Sequence, residues 1–594
     1  MTERQTSVKT HQWRLMFLRA AIGLFAVVLV GRLFTLQVKS YDYYSSLAAN
    51  QHQFLSVLTA ERGQILIQSG SRNVEDKPEQ SFYPVAVNKK AENLIISPFD
   101  IKDQEATIET LSQITKKTQG ELRDFFKDKN KRYVVVKKDL SEEEIKAVTE
   151  ALEQRKLTKG VWLETETKRH YPEGDFLSQV VGFLGYTEGA DEKTGLYGLE
   201  KSFNEILSGR PGQIEAATDP GGTLIAGSQR KLIPAKPGSN IVLTINHTIQ
   251  AEVERVLKDA VSKFGADSGQ VIVADPKSGE VLALASAPSF NPNEYNKVKD
   301  IQVFNNPAVQ LRYEPGSIIK PLTMAAALQV GAVKPSDTYD DKGEVVYADH
   351  VIKNSDEKAH GVQTMTQVLE KSLNTGMVYV QNKIGKDTLQ KFFQDFGLNS
   401  KTGITLPGEI AGDLRNLEDK RSDINYATAS FGQGISATPI EIVQAYTALA
   451  NHGQMTKLHL VSEIDHPDGS KEVVKTEKGK QVLSNTTAAQ IGSMLVEVVE
   501  KGHGTRAQVP GFWIAGKTGT AQVPLPSGRG YDPNKTIGSF IGFGPVEDPK
   551  FVMLVKIDNP KGVAFAESTA APTFGTIAKF ILDYFQVAPS RATE

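Results

Sequence analysis

The sequence predicts an α+β protein: an N-terminal apolar helix, a mixed segment, then an antiparallel sheet with helices packed on it. Three observations lead there. Short β-branched runs such as Ile241–Ile245 are bounded by turn residues. Further runs come in adjacent pairs, Val271–Ala274 with Val281–Leu284 around Asp275–Gly279, and Ser539–Phe543 with Phe551–Ile557 around Glu547–Lys550. Helical periodicity lies between and after these pairs, at Ile249–Val261 and from about Pro572 to Phe585.

The first element is an anchor. Trp13 to Val38 is mostly apolar, and Leu15 to Val38 would span about 36 Å as a helix. Arg19 and Arg32 lie near the ends, where long side chains reach the interface. The preceding tail carries Arg4, Lys9, Arg14 and Arg19 against only Glu3, which predicts a cytoplasmic N-terminus and an extracytoplasmic bulk. Ser45–Ala48 is a weak cleavage candidate, so a cleaved signal peptide is the alternative.

From Lys39 to Ile233 the pattern is mixed. Ser141 with Glu144 predicts a capping box that opens the helix EEEIKAVTEALEQRK. Gly195–Gly198 and Ser208–Gly212 are predicted turns around a short helix. A boundary is expected at Pro234-Ala235-Lys236-Pro237-Gly238. The predicted division is a tail at 1–12, an anchor at 13–38, a pedestal at 39–233 and a catalytic domain at 234–594.

Composition excludes several chemistries. With no cysteine there is no thiolate catalysis, disulfide or cysteine metal site. The ten histidines show no HExxH spacing. A net charge of −2 gives no basic excess for nucleic acid.

Three short motifs carry chemistry, and each has decoys. Ser-x-x-Lys occurs at Ser228, Ser317 and Ser355, and Lys-Thr-Gly at Lys193, Lys401 and Lys517. Ser-x-Asn starts at Ser71, Ser202, Ser289 and Ser372. Context selects among them. Ser317 follows Pro315-Gly316 and opens a predicted apolar helix, Ile318–Val330, with Pro321 in its first turn. A helix N-terminus favours developing negative charge. Lys320 shares that helix face, and an apolar setting would lower its pKa and make it a base. By contrast, Ser228 and Ser355 lie in polar stretches, GSQRK and NSDEKAH.

Ser372-Leu373-Asn374 ends the helical run Met365–Lys371. A serine there can carry protons and an asparagine can hold an amide, though capping alone would also explain both. Lys517-Thr518-Gly519-Thr520 follows Phe512–Gly516, which is predicted as a strand; alternation puts Thr518 and Thr520 on one face and Lys517 on the other. The other two Lys-Thr-Gly triplets are predicted turns. Gly511–Thr518 also fits the phosphate-loop pattern G-x-x-x-x-G-K-T. A phosphate cradle needs a loop and then a helix, and neither the stiff Phe-Trp-Ile-Ala run nor Ala521–Pro524 supplies them.

Taken in order, the triplets at Ser317, Ser372 and Lys517 are the set found in penicillin-binding proteins and β-lactamases. The chain resembles class B penicillin-binding proteins well beyond them, in GRLFTLQV, RHYPEGDFLSQVVGFLGYTE, GLYGLEKSFNEILSGRPG, ADSGQVIVADPKSGEVLALASAPSFNPN, YEPGSIIKPLT, SFGQGISATPIEIVQAYTALANHG, IAGKTGTAQV and SFIGFGPVEDPKF. One departure is at Arg62–Gly70, where the family's R-G-x-I-x-D-R-N-G lacks its Asp-Arg pair. YEPGS and GEIAGDL look more like division-type than elongation-type members.

The resemblance implies a pedestal followed by a peptidoglycan D,D-transpeptidase domain that β-lactams inhibit, with no cofactor. Ser317 would attack the D-Ala-D-Ala carbonyl of a stem peptide, with Lys320 as base and Ser372 as proton relay. Asn374 and Lys517 would help position substrate, Thr518, Gly519 and Thr520 would bind it, and the N–H groups of Ser317 and Thr520 would form the oxyanion hole. Implied partners are the membrane, a lipid-linked peptidoglycan glycosyltransferase and division proteins, with no nucleic acid. The alternatives are a hydrolase on the same chemistry (a D,D-carboxypeptidase or a β-lactamase), which rapid turnover of penicillin would reveal, and a β-lactam or wall-peptide sensor, which purified protein without crosslinking activity would reveal.

Overall fold

The computed structural model describes residues 4–40, 53–70, 81–154, 156–157, 159–189, 192–217, 231–347, 350–525, 530–563 and 565–592. The cleavage candidate Ser45–Ala48, the decoy serines Ser71 and Ser228, and the first residues of the tail lie outside the described residues. The chain forms two compact units, Met1–Glu61 with Gly209–Pro237, and Arg62–Ser208 with Gly238–Glu594.

In the first unit, helix α1 (Arg4–Phe34) runs on into a wider π-helical turn, Thr35–Lys39. Met16–Lys39 is long and apolar enough to cross a membrane, and none of it is buried in the protein. Phe17, Leu24 and Val27 all face outward, as side chains that meet lipid do. This helix fits a single-pass membrane anchor. The same unit holds a three-stranded antiparallel sheet of Gln53–Leu58, Gly212–Ala217 and Lys231–Ile233.

The second unit contains two large sheets. The first is built from β1 (Ile65–Ser69), β2 (Ser81–Ile96), β3 (Val134–Lys137), β4 (Val161–His170) and β5 (Asn240–Asn246). The second begins with β6 (Ser268–Ala274) and β7 (Val281–Ala287). Two later strands, β8 (Val461–Asp465) and β9 (Lys471–Val473), return to the first sheet, giving the order β9-β8-β5-β1-β2-β3 with β4 paired to β2. The last three, β10 (Ala515–Pro524), β11 (Tyr531–Gly544) and β12 (Phe551–Asp558), complete the second sheet in the order β7-β6-β12-β11-β10. Every pair in this second sheet is antiparallel, and β10 is its edge.

Linear order and spatial order diverge at β5. This strand follows the predicted boundary at 234–238, yet it pairs in parallel with β1 and antiparallel with β8. The reason lies in its side chains: Ile241, Val242, Leu243 and Ile245 are all buried, so the strand needs cover on both faces and partners on both edges. Away from this junction, β2, β3 and β4 carry the helices Gln104–Thr115, Gln119–Phe125 and Glu142–Glu153 over a small core of Leu94, Ile108, Leu111 and Val148. The predicted capping box is formed, with Ser141 Oγ accepting from the Glu144 N–H.

The second sheet is covered on both faces. Val271, Val273, Phe540, Met553 and Val555 pack with helices α2 (His247–Lys263) and α8 (Ala570–Tyr584). Ile272, Leu284, Ile541 and Leu554 join the larger core of the helices between the strands. Among these are α3 (Lys320–Gln329), α4 (Met365–Glu370), α5 (Asn374–Ile384), α6 (Pro439–Ala450) and α7 (Asn485–Lys501). The strand predicted over Phe512–Gly516 starts only at Ala515, because Val509 and Phe512 first close a tight turn on each other. Lys193–Gly195, predicted as a turn, is a short strand paired with Leu184–Tyr186.

Two arginines distant in sequence, Arg62 just before β1 and Arg169 at the end of β4, converge where the first sheet meets the segment after it. Glu200 is fully buried; Arg62 Nε donates to its Oε2 at 2.7 Å and Arg169 Nε to its Oε1 at 2.6 Å. Arg62 Nη2 also donates to the Glu200 carbonyl at 3.0 Å. Removing the one anion would strand two buried cations. Glu200→Ala is therefore expected to cost about 3–5 kcal/mol of unfolding free energy in urea denaturation of the purified protein, whereas breaking a solvent-exposed ion pair such as Arg123–Glu105 should leave the midpoint nearly unchanged.

Candidate active site

The predicted nucleophile sits on a short stiff turn. Gly316–Ile319 forms a 3₁₀ turn that runs directly into α3, so Ser317 and Lys320 are one turn apart. Gly316 has φ +59°, and its N–H donates to the Gly432 carbonyl at 3.1 Å. Tyr446 Oη donates to the Ile318 carbonyl at 2.6 Å. Glu314 Oε1 accepts from the Gly434 N–H and its Oε2 from Tyr531 Oη at 2.9 Å. The turn is thus tied on three sides, while Ser317 itself stays half-buried and accessible.

Lys320 is 0% exposed. Its Nζ contacts the Ser372 carbonyl at 2.6 Å, Asn374 Oδ1 at 2.8 Å and Ser372 Oγ at 3.1 Å. The first two oxygens can only accept, so they take two N–H bonds. A neutral amine then keeps one lone pair with which to take a hydroxyl proton. Burial first, and the charge of Lys517 second, hold the Lys320 pKa well below the usual lysine range, which favours that neutral form.

Ser372 lies between two lysines. It is the residue that ends α4, and its φ is +55°, a conformation that L-residues other than Asn and Asp rarely hold. The Leu373 N–H donates to the Val368 carbonyl and the Ser372 N–H to the Leu369 carbonyl, the bond pair of a helix stop that glycine normally fills. A serine there bears backbone strain of about 1 kcal/mol and places its hydroxyl 3.0 Å from Lys517 Nζ. Asn374 starts α5; its Nδ2 donates to the Lys353 carbonyl at 2.9 Å, so its amide bridges Lys320 to the neighbouring strand.

Lys517 is also 0% exposed, and burial lowers its pKa to about 7. Its Nζ further contacts the Thr518 carbonyl at 3.1 Å and Thr518 Oγ1 at 3.4 Å. Thr520 Oγ1 accepts from the Ala566 N–H at 3.2 Å, which leaves its own O–H free to donate. Gly519 has a steric reason to be glycine: a Cβ there would lie 2.8 Å from Ile318 Cγ2 and 2.7 Å from Ser539 Oγ. Only a bare backbone lets β10 lie against the Ser317 turn. Because β10 is the sheet edge, an extended peptide can pair along it.

The structure therefore brings Ser317, Lys320, Ser372, Asn374, Lys517, Thr518, Gly519 and Thr520 into one region, and leaves the decoys elsewhere. Lys193 is in the 193–195 strand, Lys401 is exposed in a coil, and Ser355 and Lys358 are exposed in a turn. Among the described residues no group of three or more His, Cys, Asp or Glu side chains is placed to hold a metal ion. Two supporting residues escaped the motif search. Glu314 was visible only as part of YEPGS. Asp341 is 1% exposed and accepts from Thr375 Oγ1, Asn354 Nδ2 and the Gly343 and His360 N–H groups, which fixes the start of α5 next to Asn374. No local pattern marks it.

A serine one helical turn from a desolvated lysine, which is linked through a second serine to another buried lysine beside an edge strand, has the make-up of a serine acyltransferase site. Residues 269–579 match the model of the penicillin-binding protein transpeptidase domain, and residues 58–243 that of the penicillin-binding protein dimerisation domain. Stage V sporulation protein D of Bacillus subtilis is 34% identical, the match covering 98% of this chain and 87% of that protein. The peptidoglycan D,D-transpeptidase FtsI of Buchnera aphidicola is 29% identical, covering 97% of this chain and 96% of that one. The crystal structure of penicillin-binding protein 3 from Mycobacterium tuberculosis in complex with aztreonam aligns with a TM-score of 0.66 at 25% identity, covering 90% of this chain and 98% of that one. The chain belongs to the class B penicillin-binding proteins, the family that joins these two domains.

Two pH predictions follow from the lysines. Lys517 titrates near 7 when folded and near 10.4 when unfolded, so between these values the unfolded chain binds more protons and stability rises with pH. Lys517→Met should flatten that rise, a contribution of up to about 1.4 kcal/mol per pH unit, in unfolding curves taken from about pH 7 to 9.5. For acylation, the rate in free enzyme should fall on the acid side as Lys320 gains a proton and on the alkaline side, from about pH 7, as Lys517 loses one. A bound substrate carboxylate would favour charged Lys517, so the alkaline limb of kcat should lie above that of kcat/KM; identical limbs would count against this assignment.

Proposed function

We propose that this chain crosslinks peptidoglycan stem peptides through a Ser317 acyl-enzyme in septal wall synthesis, and that β-lactams acylate the same serine. The observation that carries the reading is the hydrogen-bonded series Lys320–Ser372–Lys517, with both lysines fully buried. It supplies a neutral base beside the nucleophile and a proton route to the leaving group.

The chemistry follows from these positions. The peptide ending in D-Ala-D-Ala pairs along β10, its terminal carboxylate taking hydrogen bonds from Thr518 and Thr520 and the field of Lys517. Ser317 Oγ attacks the carbonyl carbon of the penultimate residue while its proton passes to Lys320 Nζ. The N–H groups of Ser317 and Thr520 hold the oxyanion. The C–N bond breaks, the departing D-alanine nitrogen takes a proton relayed from Lys320 through Ser372, and the acyl group stays on Ser317. An amine of a second stem peptide then attacks the ester, gives up its proton through the same route, and restores the serine hydroxyl. In a β-lactam the broken amide belongs to the ring, so the leaving nitrogen stays tethered and blocks the second attack.

We retain the linear division of tail 1–12, anchor 13–38, pedestal 39–233 and transpeptidase domain 234–594 as part of this proposal. The basic tail supports a cytoplasmic N-terminus with the enzyme outside the plasma membrane. A lipid-linked glycosyltransferase and division proteins are the proposed partners. YEPGS and GEIAGDL support a septal rather than an elongation role. The sporulation relative at 34% identity favours a second reading, in which the septum is that of a developing spore.

The deciding experiment labels the purified protein with a fluorescent penicillin and maps the adduct by mass. A long-lived adduct on Ser317, absent from Ser317→Ala and formed about 10²–10⁴ times more slowly in Lys320→Ala, is expected. Fast loss of label would indicate a hydrolase, and an adduct elsewhere would overturn the assignment. Depletion in cells should give filaments; rounded cells would refute the septal role, and a defect confined to spores would select the second reading.

A further inference from the structure

The face of the second sheet that carries Lys517 also carries a transverse row of polar side chains. Register sets Ser286 beside Gln270, Gln270 beside Lys556, Lys556 beside Ser539, and Ser539 beside Gly519. One step along the same face, Ile272, Leu554 and Ile541 are fully buried hydrophobics. Burying that row carries a cost. Lys556 is 6% exposed, and Gln270 Oε1 and Ser286 Oγ are buried without a partner among the described residues. Lys556 pairs with Asp558, whose other oxygen accepts from Ser268 Oγ at 2.6 Å, and apolar residues of equal volume often match or exceed such buried pairs.

What the row touches gives it a use. Lys556 Nζ lies 4.9 Å from the centroid of the Tyr313 ring, four residues before the nucleophile. Tyr313 is buried, and its backbone exchanges two 3.0 Å hydrogen bonds with Ala437. The cross-strand neighbour of Lys556, Ser539, donates from Oγ to the Gly519 carbonyl at 3.4 Å. That carbonyl belongs to the peptide unit whose N–H is that of Thr520. One buried cation therefore grips the segment leading to Ser317, and the residue beside it holds the peptide that faces the reacting carbonyl.

We propose that Lys556 is a positioning residue for acylation: seated under the Tyr313 ring and beside Ser539, it sets the spacing between the Ser317 turn and the Gly519–Thr520 peptide. This rests on the acyl-enzyme reading above. Lys556 touches no substrate, so its effect is on the rate of bond formation rather than on substrate affinity.

The test uses the full chain in detergent and a fluorescent penicillin, resolving pre-covalent Kd from the acylation rate constant and recording Tm. Lys556→Met should slow acylation about tenfold or more with Kd within about twofold, whereas Asp558→Asn, which breaks the same ion pair but leaves the cation over the ring, should keep most of the rate at a comparable loss of Tm. Lys556→Arg, which keeps a cation over the ring, should retain most of the rate. In a Tyr313→Leu background Lys556→Met should add no further loss. Wild-type acylation in Lys556→Met overturns the proposal, as does equal slowing by Met and Arg with Tm lowered in both, which is a purely structural effect. Absence of label on Ser317 in the wild type overturns the acyl-enzyme reading and this proposal together, an outcome distinct from failure of the proposal alone.

Discussion

Two lysine ammonium groups face one serine hydroxyl in a site with no solvent access to either. Lys320 and Lys517 are each 0% exposed, and Ser372 Oγ lies within 3.1 Å of both. Burying one charge is expensive and burying two of the same sign is worse, so the pair sheds a proton. The protein thus holds a free amine beside a serine at a pH where exposed lysine is charged. The surrounding structure serves to keep these groups in register. The strained φ of Ser372 is tolerated because the ends of α4 and α5 and the bonds of Asp341 leave it no alternative.

The sheet supplies the other half of the site. Its two faces are packed by separate cores, which fixes β10 as a rigid edge with one open side. Alternation along β10 then divides the work. Lys517 and Gly519 point toward the helices, where one meets Ser372 and the other admits the nucleophile turn. Thr518 and Thr520 point the other way. The open sheet edge and the Ser317 turn are therefore coupled through one strand, and a shift of that strand would disturb both.

The motif residues were legible because each is a local signal: a serine and lysine on one turn, a serine and asparagine at a helix junction, a triplet on a strand. Decoys were separable by the polarity of their surroundings. The strand pairs and the capping box at Ser141 were equally readable, since a period of two or a cap is written within a few residues. Glu314, Asp341, Tyr446 and Lys556 were not singled out. Their partners are remote in sequence: Tyr531 for Glu314, Ile318 for Tyr446, and Tyr313 for Lys556. The start of the strand at Ala515 was misplaced because the apolar run Phe512–Ile514 looks like strand, while a contact with Val509 makes it a turn.

By itself the sequence determined the α+β class, the apolar N-terminal helix, the order of the three motif triplets and the family. All of these follow from short-range periodicity, residue type and similarity along the chain. Only the tertiary structure decided that β5 completes a sheet begun near residue 65, that Glu200 joins Arg62 to Arg169, and that two buried lysines meet on one hydroxyl. Those outcomes depend on which distant segments exclude water together. Burial, and the pKa shifts it produces, is a property of that packing and of no single stretch of residues.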